Sequence, residues 1–101
     1  MKIIHIPNYY IIFTKDSNSK LQQFLNYSMN ISFSYYIKTK NNFYTQFSLI
    51  SYNPYMFPKY FSGSKKYKDC RRCFFFKYVI IYKIINNHVK ILDIFHYRNK
   101  Y

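Results

Sequence analysis

The tripeptide His96-Tyr97-Arg98 near the carboxy terminus poses the first chemical question. A histidine changes charge near neutral pH and can move a proton in either direction, and a guanidinium presents a fork of donors to a phosphate. Cleaving RNA without a metal needs these functions: activation of a ribose 2′-OH, stabilisation of a five-coordinate phosphorus and protonation of the leaving oxygen. Tyr97, between the two, could stack on a base. The plain alternative is a strand-end histidine tied to the backbone beside a solvated arginine.

The other cations lie upstream. Arg71 and Arg72 are adjacent in a stretch with strand character, so they point to opposite faces and at most one of them meets a given partner. Lys65, Lys66 and Lys68 form a basic run whose functional use is non-specific attraction of phosphate. Its plain reading is a solvated loop. Lys77 sits at a tight connection and, like Lys83 and Lys90, suits edge protection as well as phosphate contact. Cys70 and Cys73 have CxxC spacing. Zinc needs four ligands, and His88 and His96 are the only histidines near them. A redox pair belongs at a helix N-terminus, whereas this one falls in a strand. Packing is therefore the expectation, with no metal and no cofactor. Asp93, one of three acids, is expected to pair with a strand Lys or Arg.

These residues need a scaffold. Tyr9–Thr14 reads as a strand bounded by polar residues. Asp16 or Ser17 then offers an N-cap, and Leu21, Phe24, Leu25 and Ser28 follow at helical spacing, which predicts a helix over about 17–29. Phe33, Tyr36, Ile37, Tyr44, Phe47 and Ile50 predict a longer helix over about 32–51, with Lys38, Lys40, Asn41 and Gln46 on its polar face. Asn53-Pro54 ends it, because the residue before proline is pushed out of the α region. Residues 53–68 read as a loop. Arg71–Phe76, Tyr78–Ile85 and Val89–Phe95 read as three strands, with Asn86-Asn87 as a hairpin turn that needs positive φ. Phe74-Phe75-Phe76 suggests a strand buried on both faces. The fold class is α+β: an N-terminal strand, an α-helical hairpin on one face, and a three-stranded antiparallel meander in one small sheet. The first strand has to join that sheet after the hairpin, so a parallel pairing with a later strand is open.

The chain of 101 residues carries 16 basic and 3 acidic side chains, a formal net charge of +13. Residues 59–101 hold +9 of it and residues 1–58 the remaining +4. Tyr, Ile, Lys, Phe and Asn make up 62 residues, and Ala, Glu and Trp are absent, as an A+T-rich gene would encode. That bias inflates the charge and keeps open an inactive, decayed basic binding domain. Half the residues are apolar, which argues against disorder. The length sets one domain, residues 1–101, as the ceiling. No apolar run approaches a membrane span, and the opening residues Met1–Pro7 are too short and polar for a signal peptide. A reduced, cytoplasmic setting and an acidic partner are the expectations.

The turn Asn53-Pro54-Tyr55-Met56-Phe57-Pro58-Lys59-Tyr60 after a helix resembles the NP-x-x-x-P turn of the RelE/ParE toxin superfamily. The strands downstream resemble that superfamily too: a basic strand (Arg71-Arg72-Cys73-Phe74), then Val79-Ile80-Ile81-Tyr82-Lys83-Ile84, then Val89-Lys90-Ile91-Leu92-Asp93-Ile94-Phe95-His96-Tyr97-Arg98. Leu21–Tyr27 and Phe33–Ile50 are similar to the family's α-hairpin. The resemblance implies the toxin of a type II toxin–antitoxin pair, held inactive by an acidic antitoxin and free of membranes. Two mechanisms occur in that superfamily. RelE-like members cut mRNA on the ribosome; ParE-like members poison DNA gyrase and have no nuclease site. On the first, His96 is the expected acid or base and Arg72 and Arg98 the phosphate-binding groups, with Arg71, Lys65, Lys66, Lys68, Lys77 and Tyr97 contacting RNA. That is the preferred expectation, although without Glu a carboxylate-based version of this chemistry is hard to assemble. Gyrase inhibition is the alternative.

Overall fold

The computed structural model describes residues 8–100. The opening segment weighed above as a leader lies outside the described residues. In chain order the elements are β1 (Tyr10–Phe13), α1 (Lys15–Ile31), α2 (Phe33–Tyr52), β2 (Arg71–Phe75), β3 (Tyr78–Ile85) and β4 (His88–His96). Short 3₁₀ turns occupy Lys65–Tyr67 and Tyr97–Lys100.

Thr14 caps α1, its hydroxyl accepting from the Ser17 N–H at 3.1 Å. The cap falls earlier than Asp16 or Ser17, because Thr14 is the extended residue leaving β1. Asp16 instead lies in the first turn, where a negative charge suits the helix dipole. Ser32 does two jobs in extended conformation. Its N–H closes α1 on the Ser28 carbonyl, and its hydroxyl accepts from the Tyr35 N–H to open α2. One residue thus makes the hairpin.

The buried stripe of α1 is Ser17, Leu21, Leu25 and Ser28, close to expectation. That of α2 is Thr39, Phe43, Phe47 and Ile50. Phe33, Ile37 and Tyr44 face solvent instead, so the helix is rotated from the face that its spacing suggests. Phe43, the hub of the ring contacts with Phe24, Phe47, Phe75 and Tyr78, stands one turn before Phe47 on this stripe and was not among the residues expected there.

The sheet is mixed and four-stranded, in the order β1-β4-β3-β2. β2 and β3 pair antiparallel, as do β3 and β4. β1 runs parallel to β4, from Tyr10 opposite His88 to Phe13 opposite Ile91. The general class is as expected, but the meander is only part of the sheet and is interrupted by a bulge at Ile81/Tyr82. Asn86 takes φ +54 in the β3–β4 turn, as its type allows. Phe76 takes φ +52 in the β2–β3 turn, a strained choice for an aromatic residue.

One face of the sheet packs on both helices through Cys73, Tyr78, Ile80, Tyr82, Val89, Ile91 and Ile94. The other face has a smaller cluster, Cys70, Val79 and Ile81, with Tyr60, Tyr67, Leu92 and Phe95 against it. The segment between α2 and β2 lies over this second face. β3 is central and buried on both sides through Tyr82, whereas β2 is an edge. Phe74 and Phe76 are accordingly exposed, contrary to the expectation of a doubly buried strand.

Candidate functional site

The NP-x-x-x-P turn is held by the sheet, and this explains its spacing. Pro54 is fully buried, and its carbonyl accepts from the Tyr82 hydroxyl at 2.6 Å. Burial pushes the Tyr82 phenol well above its ordinary range. The Arg71 guanidinium donates to the Phe57 carbonyl at 2.7 Å and lies over the Tyr55 ring. The backbones of Lys59 and Arg71 form an antiparallel β-bridge, in which the Arg72 N–H donates to the Pro58 carbonyl. Arg71 therefore fastens the turn to the edge strand. The resulting geometry carries Lys59, Tyr60 and Phe61 across the end of β2.

Strand alternation sends Arg72 to the second face of the sheet, the one that α1 and α2 leave uncovered. There it lines a hollow of about 470 Å³ with Lys59, Tyr60, Phe61, Phe74, Val79, Phe95 and Tyr97. Tyr97 packs on Phe74 with ring centres 4.9 Å apart. Cations among aromatic faces can hold phosphates and stacked bases. Among the described residues, no histidine and no carboxylate lines this hollow. Beside it, Lys65 and Lys68 line the loop's own recess with Asp69, and Lys66 lies over the Tyr67 ring.

His96 and Arg98 go the other way. With Lys77, Gln23, Phe24, Tyr27 and Tyr78 they line a hollow of about 430 Å³ at the end of α1. Of the expected catalytic trio, His96 and Arg98 share a site and Arg72 stands in another. Lys77 is held there by the Tyr35 hydroxyl at 2.8 Å. His96 packs edge-on to Tyr78, and its Nδ1 accepts from the Arg98 N–H at 3.2 Å. The proton of the neutral ring consequently sits on Nε2. Burial lowers the His96 pKa from 6.5, and the charges of Lys77 and Arg98 lower it further. The shift favours the neutral imidazole.

Asp93 belongs to neither hollow. It accepts from Lys20 Nζ and from the Tyr67 hydroxyl, both at 2.7 Å, and so ties α1, the loop and β4 together. Its partner comes from a helix, not from a strand as expected. Burial alone would raise its pKa, but the Lys20 and Tyr67 hydrogen bonds outweigh this and hold the carboxyl below its ordinary value. Tyr67, by its burial and the same contact, is pushed up. Cys70 and Cys73 are free and buried in separate clusters, and burial pushes the Cys73 thiol up to about 12, which suits packing. Among the described residues no three His, Cys, Asp or Glu side chains gather as for a metal. No helix among them is long and apolar enough to cross a membrane.

Alternation alone could have placed Phe74 beside Arg72 and Tyr97 away from His96. Lys59 and Phe61 reach the uncovered hollow through the loop crossing, and Gln23 and Phe24 reach the other through helix packing. Neither leaves a local sequence signal.

With this geometry in view, the comparison with known families is decisive. A family model described as the ParE toxin of type II toxin–antitoxin systems, parDE, matches residues 33–101. The chain belongs to this family. The match spans α2, the NP turn and β2–β4, which include every cation of both hollows. Membership makes the chain a RelE/ParE-type toxin and implies an antitoxin as its partner. A search of curated proteins gives no significant match.

Proposed function

We propose that this toxin arrests growth in the cytoplasm by binding its target, DNA gyrase, rather than by cutting mRNA. One observation carries the reading: Arg72 and His96 line separate hollows, so no cleft among the described residues holds a phosphate-binding arginine of β2 together with the histidine. The histidine's own state supports it. With Nδ1 accepting from the Arg98 N–H, the ring's proton is directed to Nε2, which favours a donor over a base.

A specific observation favours a second reading. Lys59, Arg72 and Tyr97 do share a hollow with exposed aromatic rings, a lining that suits single-stranded RNA. Cleavage there would need an acid and a base drawn from lysine or tyrosine.

Induced expression separates the two. The binding reading expects arrest with gyrase-dependent DNA breaks, intact mRNA, and the same arrest in a His96→Gln variant. Transcripts cut within codons, with cutting abolished by Arg72→Gln, would establish the second reading in its place.

A further inference from the structure

The sheet ends on two edge strands, β1 and β2, and they are finished differently. Along the start of β2 the chain itself closes the edge, through the bridge between Lys59 and Arg71. β1 has no such cover. Its Tyr10 and Thr14 N–H groups donate toward β4, to the Asn87 and Ile91 carbonyls at 3.2 and 3.1 Å. Backbone groups alternate in direction along a strand, so those of Tyr9, Ile11 and Phe13 point outward. Tyr9 is satisfied by Ser51 of α2, whose carbonyl accepts at 2.9 Å and whose hydroxyl donates at 2.7 Å. Ile11 and Phe13 have no outward partner among the described residues.

Open edges are commonly guarded by a lysine, a proline or a bulge. Tyr10-Ile11-Ile12-Phe13 carries none of these, and its register with β4 is unbroken. The strand is also uncharged in a chain of net charge +13. Tyr10 and Ile12 stand 68% and 45% exposed on one face. On the other, Ile11 and Phe13 border a hollow of about 360 Å³ with Tyr44, Phe47, Ser48 and Ser51 of α2, and no charged side chain lines it. Nothing on this edge selects an acid or a phosphate. What it offers is a neutral, apolar strand, and a strand of the same kind complements it.

We propose that β1 pairs with β1 of a second copy of the chain, in an isologous dimer with one continuous eight-stranded sheet. The outward groups set the register. Ile11 exchanges both hydrogen bonds with Phe13 of the second copy, Phe13 does the same with its Ile11, and the twofold axis passes between the two Ile12 residues. The Ile12 side chains meet there as a non-hydrogen-bonded pair, the closer kind. Each Phe13 covers Ile11 of the other copy at the mouth of the α2 hollow. Because β1 and β2 are opposite edges, Arg71 and Arg72 lie at the two far rims of the dimer. Two four-residue strands fall short of the roughly 1,600 Å² that a standard interface buries, so the dimer is a weak one, with Kd on the order of micromolar or above. Like charge opposes it, and salt screens that charge.

Sedimentation of the full chain over a range of concentrations tests this. The expected result is a monomer–dimer equilibrium that tightens as salt is raised. Ile12→Lys sets two like charges at the axis and should weaken the dimer about tenfold or more. Phe74→Lys, an equal change on exposed β2, should not. Circular dichroism verifies both folds. Ile12→Cys gives a second reading that needs no loss of binding. Directly opposed residues of a non-hydrogen-bonded pair are close enough for a disulfide, so a mild oxidant should join two Ile12→Cys chains, whereas Tyr10→Cys, opposite Thr14, should not join to itself. A monomer at every concentration, with no Ile12→Cys cross-link, would overturn the proposal. So would a dimer that survives Ile12→Lys or is lost in Phe74→Lys. Hydrogen exchange at Ile11 and Phe13 should slow as concentration rises; protection independent of concentration would mean that the chain closes its own edge, and would equally overturn it.

Discussion

The two hollows are nearly equal in size and both are cationic, yet they differ in what holds them. The helix-side hollow lies against α1 and the main core, where Phe24, Phe43 and Tyr78 pack on one another. The uncovered hollow rests on three small buried residues and a long loop. Its shape depends on single fastenings: Tyr82 on Pro54, Arg71 on Phe57, Tyr67 on Asp93. The same strand ends serve both, since Tyr97 turns to one face and His96 and Arg98 to the other. The passage from β4 into the 3₁₀ turn divides what looks in the sequence like one cluster.

If the helix face carries the stability, its truncation should be the most costly. Phe43→Ala is expected to lose about 3–5 kcal/mol, because a fully buried ring leaves a cavity that its neighbours cannot close. Phe95→Ala, half-buried on the uncovered face, should cost about half as much. Urea unfolding of the two variants measures this, and a reversed order would mean that the loop side holds the fold.

The Asp93 clamp joins the two regions, so breaking it should be intermediate. Asp93→Asn is expected to cost about 1–3 kcal/mol at neutral pH, where the amide cannot replace both charge-assisted bonds. The folded pKa lies below the ordinary 3.8, so this contribution is complete above that value and is lost as pH falls through the folded one. The wild type should therefore lose stability in acid more steeply than Asp93→Asn. Parallel acid profiles would show that the clamp carries no net charge contribution. Smaller again is Tyr82→Phe, expected at about 1–2 kcal/mol for the unpaired Pro54 carbonyl. Hydrogen exchange should report opening of residues 54–61 and leave α1 unchanged.

The strand and helix boundaries were legible because their causes are local. β-branched and aromatic density marks β2–β4, Asn86 marks a turn and Pro54 a stop. The rotation of α2 was not legible. Aromatic residues stand at Phe33, Tyr35, Tyr36, Phe43, Tyr44, Phe47 and Tyr52, so several faces qualify as apolar and only packing against α1 and the sheet selects the one through Phe43. The site was half legible. His96, Arg98, Lys77, Arg72 and Tyr97 all stand out by their chemistry, and all line one hollow or the other. Strand parity sets Arg72 apart from His96, but Tyr97 and Arg98 are divided by the 3₁₀ turn after β4, which local spacing does not announce. Arg71 looked like a phosphate contact because its type is right. Its work on the Phe57 carbonyl depends on a loop crossing that no local pattern announces.

The gentlest test of the division is the titration of His96. Its pKa is expected below 6.5, through burial first and then through Lys77 and Arg98. Because the folded state disfavours the imidazolium, this group contributes stability in full above 6.5 and loses it as pH falls toward the folded value. Lys77→Gln or Arg98→Gln should move the midpoint up, since each removes a positive neighbour. Arg72→Gln should leave it in place, because that guanidinium lies in the other hollow with the sheet between. NMR of the ring protons across the transition reads all three. If Arg72→Gln moved the midpoint as far as Arg98→Gln does, the two cationic surfaces would share one potential, and a single ligand spanning the strand ends would fit the molecule better than two separate sites.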